Sequence, residues 1–246
     1  MNKNSNTYTF IYASVMVILV AAALAFVNGA LKEKQKKNVE IDKMSQILSS
    51  VNKHPAYSEA EAMYNEIITA AYIVDGSGEK ISEDASEAFA VDMAAAGHPL
   101  VVFEAQVDGA QKYIIPLYGA GLWGPIWGYI SLNDDANTVY SASFSHQGET
   151  PGLGAEIATG KFQEPFAGKQ IFKNGEFRSL AVLKAGAKAD NQDAVDAITG
   201  GTCTSRGVEE MLKSCLGAYE PFFKNVQAEK AAASVAEEAV CQENCE

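Results

Sequence analysis

The hydrophobic positions along the chain begin with one long uninterrupted run. Residues 8–27 (YTFIYASVMVILVAAALAFV) are almost wholly apolar, and no charged residue lies between Lys3 and Lys32. At 1.5 Å per residue, a helix of this length spans about 30 Å, the thickness of the hydrocarbon core of a bilayer. We therefore predict a transmembrane anchor over residues 8–30, after a short tail at residues 1–7. A cleaved signal peptide is the alternative, because Ala23-Leu24-Ala25 has the spacing of a cleavage site, but the apolar run is longer than such peptides need.

Helical spacing of apolar residues follows the anchor and returns near the C-terminus. Residues 31–56 are predicted to be a polar stalk helix and a connection, with apolar side chains on one face. Ser58 and Glu61 have capping-box spacing and predict a short helix through Ile68. A second helix is predicted over residues 205–223, because its apolar positions recur at i, i+3, i+4 and i+7.

Strand patterns dominate the middle of the chain. The predicted strands are 70–74, 100–107, 112–117, 126–132, 138–144, 170–173 and 177–183. Asp108-Gly109 and Asn174-Gly175 are strong hairpin turns, and Pro116 predicts a strand edge or a bulge. Helices at both ends of a hairpin-rich middle favour an α+β fold: one N-terminal transmembrane helix, then a single domain with an antiparallel-rich sheet and flanking helices at residues 57–226. Residues 227–246 are predicted to be an unstructured C-terminal tail.

The charge is divided unevenly between the two ends. The chain carries a net −12, but residues 1–37 hold five lysines against Glu33, a balance of +4 that leaves −16 for the rest. A body this acidic repels phosphate backbones, which excludes nucleic acid as a partner. Four lysines follow the apolar run and one precedes it, so the positive-inside rule alone would place the acidic body in the cytoplasm.

The segment with the clearest candidate chemistry runs from Asp196 to Arg206 (DAITGGTCTSR). It is a glycine-containing loop that leads directly into the predicted C-terminal helix. The unpaired N–H groups and the dipole of a helix start stabilise a phosphate, and Gly200 and Gly201 allow close approach of a ligand. The alternative is an ordinary helix start capped by Thr204 or Ser205, which is the commoner arrangement.

The same segment closely resembles the flavinylation motif of the FMN-binding domain family. Asp196, Thr199, Gly200, Gly201 and Thr202 match every fixed position of that motif. In that family a separate flavin transferase moves FMN from FAD onto the last threonine as a phosphoester. The resemblance therefore implies that Thr202 carries covalent FMN, with Thr204 beside it.

Two further segments strengthen the resemblance. The first, Glu149-Thr150-Pro151-Gly152-Leu153-Gly154, matches the E-T-P-G-L-G segment of the family, and its Thr-Pro-Gly turn can aim backbone N–H groups and Thr150 at a flavin edge. The second, Gly119-Ala120-Gly121-Leu122-Trp123, resembles the G-x-G-L-W stretch of one branch, the C subunits of the Na+-translocating NADH:quinone reductases. Trp123 then offers a ring to pack near the flavin; a tight turn and a core tryptophan are the alternatives.

The resemblance implies a function as an electron carrier. FMN would relay electrons from NADH towards quinone, within a complex of membrane and peripheral subunits that exports sodium. The family places its flavin domain on the periplasmic side of the bacterial inner membrane, contrary to the lysine count. We follow the family, since partner subunits can impose topology. The alternatives are the related G subunits of Rnf complexes, which usually differ in the Trp123 segment, and a membrane-tethered scaffold domain without a cofactor.

The remaining reactive side chains give no competing site. His54, His98 and His146 lie far apart without metal-ligand spacing, and no catalytic residue or metal site is predicted. Cys215 is predicted to be a buried thiol on the apolar helix face, and Cys203 lies beside the flavin site. Cys241 and Cys245 could close a small disulfide or contribute to a metal site elsewhere, although incidental cysteines in a tail are favoured.

Overall fold

The computed structural model describes residues 6–187 and 189–243. The chain divides into two compact units, Met1–Lys43 and Met44–Glu246. Helix α1 (Asn6–Ser49) begins in the first unit, and its last turns belong to the second. The apolar part of α1 is exposed: Phe10 is 75% and Phe26 is 78% exposed. Among the described helices, α1 alone has the length and apolar composition to cross a membrane, in agreement with the predicted anchor.

The second unit is built on a six-stranded antiparallel sheet. Its strands are β1 (Ile68–Val74), β2 (Lys80–Ser82), β3 (Leu100–Val107), β4 (Ala110–Ala120), β5 (Pro125–Asn133) and β6 (Val139–His146). They lie in the order β2-β1-β3-β4-β5-β6. Strands β3 to β6 are consecutive and joined by short turns, and the turn between β3 and β4 is the one predicted at Asp108-Gly109. The α+β class with an antiparallel-rich sheet is confirmed.

Helices and short strands complete the second unit. The further helices are α2 (Ala60–Ile67), α3 (Ala85–Ala90), α4 (Gly160–Gln163), α5 (Thr202–Ala218) and α6 (Glu220–Glu243), with 3₁₀ turns at Gly154–Ala158 and Glu164–Phe166. The further strands are β7 (Phe172–Lys173), β8 (Glu176–Phe177), β9 (Leu180–Leu183) and β10 (Asp193–Asp196). Strands β7 and β8 form a hairpin, whereas β9 and β10 pair in parallel.

The six-stranded sheet is covered on both faces. On one face, Ile126 and Ile130 of β5 pack with Met211 and Leu212 of α5. On the other face, Tyr129 belongs to a core that includes Ile47 at the end of α1. Because both faces are covered, consecutive residues are buried in the middle of the central strands, at 101–103, 114–117 and 128–132.

Hydrogen bonds hold the end of α1 on this second face. The indole N–H of Trp127 donates to Gln46 Oε1 at 2.8 Å, and the hydroxyl of Ser131 donates to the carbonyl of Ser50. The hydroxyl of Ser141 donates to Asn52 Oδ1 at 2.9 Å. The last turns of α1 and the residues after it are therefore part of the folded unit.

Pro116 lies in β4, a central strand, whereas an edge or a bulge was expected at this residue. Pro116 pairs with Tyr129 of β5, but the pairing of β4 with β3 ends at Ile114. Pro116 therefore has no partner residue in β3, and its lack of an N–H group removes no hydrogen bond between β3 and β4. The strand has a local edge at the position that proline requires.

The capping box and the long hairpin are not formed as predicted. The N-cap of α2 is Glu59, which makes no side-chain cap, so Ser58 does not cap this helix. The Asn174-Gly175 hairpin forms, but each strand has two residues, because both Arg178 and Ser179 donate their N–H groups to Ile171. Ser179 has a φ of +58°, which ends the extended conformation.

The C-terminal helix begins earlier and divides in two. Helix α5 begins at Thr202, three residues before the predicted start, and it ends at Ala218. A second helix, α6, follows Tyr219, and its Phe222 and Phe223 belong to the core between the sheet and α5. It continues to Glu243, so most of the predicted unstructured tail is helical in the described residues.

Candidate functional site

Thr202 is the first residue of α5, and it is exposed. The preceding Gly200 has a φ of +81°, a left-handed conformation that glycine adopts without strain. Gly201 is the N-cap residue, and no side chain caps the helix. The N–H groups of the first turn have no carbonyl partner within the helix, so this end offers donors and a positive dipole to an anion.

Thr204 and Ser205, the alternative caps, are buried in the first turn and bind elsewhere. The oxygen of the Ser205 hydroxyl accepts the N–H of Ile198 at 3.0 Å, which holds the loop against the helix. The Thr204 hydroxyl donates to Glu149 Oε2 at 2.7 Å. The ordinary capped helix start is therefore not what the structure contains.

Close packing on the sheet positions the start of α5. A Cβ at Gly207 would clash with the carbonyl of Ala120, and a Cβ at Gly119 would lie 2.8 Å from the Cβ of Met211. The absence of these two side chains lets α5 approach the end of β4. The turn that follows β4, which holds Leu122 and Trp123, is thereby brought beside the first turn of the helix.

Glu149 connects the three motif segments. The residue is buried, with an exposed fraction of 5%. Oε1 accepts the backbone N–H of Trp123 at 2.9 Å, and Oε2 accepts the hydroxyl of Thr204 at 2.7 Å. Burial raises the pKa of this carboxyl, but the hydrogen bonds from Thr204, Trp123 and Leu122 outweigh it, so the net pKa is lowered. Glu149 is ionised in the folded protein at neutral pH.

Two glycines of the motifs make room for this carboxylate. A Cβ at Gly121 would clash with Glu149 Oε1, and a Cβ at Gly154 would clash with Glu149 Oε2 and crowd the Thr204 hydroxyl. Both positions therefore require glycine because of Glu149.

The turn after Glu149 presents a side chain outwards and uses its N–H groups internally. The N–H of Leu153 donates to the carbonyl of Thr150 at 3.1 Å, and that of Gly152 donates to Glu156 Oε1 at 3.2 Å. The expectation that this turn aims its backbone N–H groups at a flavin is not met at these two residues. The side chain of Leu153 is 41% exposed, and its Cδ2 lies 2.7 Å from where a Cβ on Gly200 would be.

Exposed apolar side chains gather around this site. In the described part of the second unit, five large hydrophobic residues are exposed: Tyr57, Ile81, Leu122, Trp123 and Leu153. Three of them lie in the two motif turns of this site: Leu122 and Trp123 follow β4, and Leu153 follows Glu149. Leu122 is 55% and Trp123 is 69% exposed. Exposed apolar side chains on adjoining turns are typical of a binding surface.

Two adjacent clefts, each of about 500 Å³, open beside the glycine loop. Ala185, Ala197, Ile198 and Thr199 line both of them. The first cleft adds Gly152, Lys161 and Asp196, and the second adds Lys184, Thr202 and Arg206. Clefts of this size accept a ligand as large as a nucleotide cofactor.

The predicted site residues thus lie in one region. Contacts join Trp123, Glu149, Gly154 and Thr204, and join Leu153 to Gly200 and Gly201. Asp196 and Thr199 are exposed at the clefts, and Thr150 is exposed in its turn. Four residues were missed by sequence reasoning: Gly121, Leu122, Ser205 and Gly207. The first two stand inside a motif already recognised, whereas nothing local in the sequence indicates the contacts of the other two.

The cysteines and histidines take structural positions or lie outside the described residues. Cys203 is exposed, and the half-buried Cys215 donates its thiol to the carbonyl of Tyr118 at 3.4 Å. Burial raises the pKa of the Cys215 thiol. His146 accepts the N–H of Glu149 at its Nδ1. No cluster of metal-ligating side chains occurs among the side chains that the structure describes, which end at Ser234. Cys245 and the side chain of Cys241 lie outside the described residues.

The FMN-binding domain family matches residues 121–217, a range that begins at Gly121 and includes the motif residues from Leu122 to Thr204. The fold and this match define an FMN-binding domain in a chain whose N-terminal helix is long and apolar enough to cross a membrane. The crystal structure of the C subunit of the Na+-translocating NADH-quinone reductase from Parabacteroides distasonis is 54% identical, with a TM-score of 0.75, and covers 78% of this chain and 96% of that one. The chain belongs to the family of the C subunits of the Na+-translocating NADH-quinone reductases, as the Trp123 segment predicted.

More distant members agree over nearly the whole length. The C subunit from Vibrio anguillarum is 28% identical over an alignment of 247 positions, which covers 92% of this chain and 97% of that protein. The crystal structure of NqrC from Shewanella oneidensis is 25% identical, with a TM-score of 0.66, and covers 77% of this chain and 98% of that one.

Proposed function

We propose that this chain is the electron-carrier subunit of a Na+-translocating NADH:quinone reductase, with FMN held by a phosphoester to Thr202. Its electrons come from NADH through partner subunits and pass on towards quinone. The complex as a whole couples this transfer to sodium export.

The observation that carries this proposal is the position of the Thr202 hydroxyl. Thr202 is exposed at the first residue of α5 and lines the second cleft, while Leu153 lies against Gly200 and the Trp123 turn is joined to Thr204 through Glu149. A phosphate esterified there meets the free N–H groups of the first helical turn and the positive end of the helix dipole. An isoalloxazine ring tethered there reaches apolar side chains that otherwise face water.

FMN supplies the redox chemistry when it is bound, and the chain supplies position and electrostatics. Thr202 gives up its hydroxyl proton as its oxygen forms the ester to the phosphorus of FMN. The flavin transferase that we propose as the maturation partner takes the FMN group from FAD, and AMP leaves. Covalent attachment prevents the loss of the cofactor between electron transfers.

The direct test is the intact mass of the protein after co-expression with a flavin transferase. We expect the wild-type chain to gain one FMN less one water and to fluoresce in a denaturing gel. Thr202→Ala should show neither, whereas the neighbouring Cys203→Ser should behave as wild type. An unmodified wild-type mass, or a Thr202→Ala chain that still carries flavin, would contradict the proposal.

We further propose that the flavin domain lies on the periplasmic side of a bacterial inner membrane, despite the four lysines that follow the anchor. A fusion of alkaline phosphatase after residue 243 tests this, because the enzyme folds only in the periplasm. The expected result is an active fusion, while a cytoplasmic reporter fused at the same position stays inactive. The reverse pattern would place the domain in the cytoplasm.

A further inference from the structure

Glu149 is a buried anion whose two oxygens are both used inside the protein. Its donors are distant in sequence: Trp123 lies 26 residues before it and Thr204 lies 55 residues after it. A buried carboxylate is tolerated only where its hydrogen bonds are satisfied. Here each oxygen is satisfied by a different segment of the site, so the two segments are joined through one side chain.

We propose that Glu149 is a positioning residue for the flavin. Its carboxylate fixes the Leu122-Trp123 turn and the first turn of α5 in one arrangement, in which the exposed apolar side chains and the Thr202 hydroxyl serve the same cofactor. This inference rests on the proposed function. It differs from the role implied by the family motif, in which Glu149 is itself a cofactor-binding residue.

The packing around Glu149 supports an indirect role. Gly121 and Gly154 face the two carboxylate oxygens, and a side chain at either position would displace them. The backbone N–H of Glu149 is held by His146 Nδ1 at 3.2 Å. With its oxygens enclosed by protein in this way, Glu149 affects a bound flavin through Trp123 and Thr204.

Of the two joined segments, the Leu122-Trp123 turn has few other restraints at its tip. Leu122 and Trp123 are mostly exposed, and their turn is closed by a hydrogen bond from the N–H of Gly121 to the carbonyl of Gly124 at 2.8 Å. A hydrogen bond to a charged group shifts the equilibrium between the bonded and the open arrangement by about tenfold or more. Removing either bond of Glu149 should therefore loosen the turn relative to α5 by about that factor.

The first experiment needs no cofactor. Amide hydrogen exchange is measured over residues 121–124 of the unflavinylated full-length chain, as wild type, Thr204→Val and Thr204→Ser. Valine has the shape of threonine without its hydroxyl, and serine keeps the hydroxyl. We expect about tenfold faster exchange at Trp123 in Thr204→Val, because the two residues are linked through Glu149. Thr204→Ser should exchange like the wild type; equal exchange in all three chains would overturn the inference.

The second experiment measures the consequence for the flavin. Glu149→Gln and Thr204→Val are co-expressed with a flavin transferase, and the FMN-bearing fraction is followed by intact mass over time. Both should acquire FMN about tenfold more slowly than the wild type and Thr204→Ser. In the molecules that carry FMN, Glu149→Gln and Thr204→Val should shift the flavin midpoint potential in the same direction. The double variant should show the same shift as each single variant, because all three break the same link between Trp123 and Thr204.

Ile47→Ala, in the core on the other face of the sheet, controls for a general loss of stability. It should lower the thermal midpoint without a shift in the flavin potential. An equal potential shift in Ile47→Ala, or wild-type flavinylation and potential in both Glu149→Gln and Thr204→Val, would overturn the positioning role. The two proposals can fail separately. If the wild-type chain gains no FMN but Thr204→Val still exchanges faster at Trp123, the proposed function is refuted and the Glu149 link is retained.

Discussion

At the scale of single residues, the site is shaped by positions where a side chain is absent. Gly154 lies where a Cβ would meet both Glu149 and Thr204, while Gly148, the residue before the Glu149–Gly154 motif, has open space around it and no left-handed φ. Their surroundings make one essential to the site and the other replaceable.

We therefore expect Gly154→Ala to impair the site and Gly148→Ala to leave it intact. The added methyl group in Gly154→Ala overpacks a buried contact, which typically costs about 1–3 kcal/mol. Urea unfolding of the detergent-solubilised chain measures this cost, and intact mass after co-expression with a flavin transferase measures the loss of FMN. Equal behaviour of the two variants would show that the enclosure of Glu149 is not needed.

Ser179 is a residue whose replacement should stabilise the protein. It is 1% exposed, has a φ of +58°, and its hydroxyl has no hydrogen-bond partner among the described residues. Ser179→Gly removes both the left-handed strain and the buried polar atom, for an expected gain of about 1 kcal/mol. Ser179→Ala removes the hydroxyl only and separates the two causes; unfolding midpoints in urea compare them. A Ser179→Gly chain less stable than the wild type would contradict this prediction.

The motif residues could be predicted from the sequence, but the contacts that each of them makes could not. The match at Thr202 and the Gly-Leu-Trp stretch indicated segments that lie together in the structure, because short motifs preserve residue types. The role of Glu149 depends on contacts with residues 26 and 55 positions away. Such contacts follow from the packing of α5 on β4, which no local pattern encodes.

At the scale of elements, the last turns of α1 serve the folded unit. Ile47, Leu48 and Val51 are fully buried, and Ile47 and Val51 share a core with β1, β3, β4 and β5. A soluble version that begins at residue 55 would expose this face of the sheet. The unit Met44–Glu246 retains the cover.

Replacement of Ile47 by alanine should destabilise the domain by about 2–4 kcal/mol, because it leaves a cavity in a closely packed core. The matched control is Val39→Ala on the same helix, where the side chain is 67% exposed. Thermal unfolding of the full-length chain in detergent distinguishes them. A similar midpoint for both variants would mean that the end of α1 contributes little to the fold.

Periodicity predicted most elements, but it failed where a hydrogen bond or a backbone angle determines the end of an element. The apolar spacing of α5 continues to Phe223, so it cannot reveal that the helix ends at Ala218 and a new helix begins at Glu220. The hairpin at Asn174-Gly175 was located correctly, but Ser179 shortened it. The capping-box spacing at Ser58 occurred without the bond it predicts.

At the scale of the whole molecule, stability should depend on pH at both extremes. The pKa of Asp134 is lowered by Lys230, and the pKa of Asp193 is lowered because its hydrogen bonds from Gln170 and Lys173 outweigh burial, as also happens at Glu149. A lowered folded-state pKa gives stability that is present above the ordinary value near 4 and lost as pH falls through the folded value. Burial raises the pKa of Tyr113 to about 12, so its contribution is lost as pH rises from 10 to 12.

The free energy of unfolding should accordingly be flat between about pH 5 and 9 and fall on either side. Urea titrations of the full-length chain at several pH values check this. Glu149→Gln provides an internal control: its deficit relative to the wild type should shrink as the pH falls below about 4, because glutamine does not titrate. A deficit that grows with acidity would show that Glu149 is protonated in the fold.

The exposure of the Thr202 hydroxyl has a consequence for the life history of the protein. Because this hydroxyl is accessible after the domain has folded, a flavin can be added to a finished polypeptide. A phosphoester at this position would then make the cofactor a permanent part of the chain. A damaged flavin could not be exchanged from a cellular pool, and its replacement would require synthesis, folding and modification of a new polypeptide. The working lifetime of the flavin would equal that of the chain that carries it.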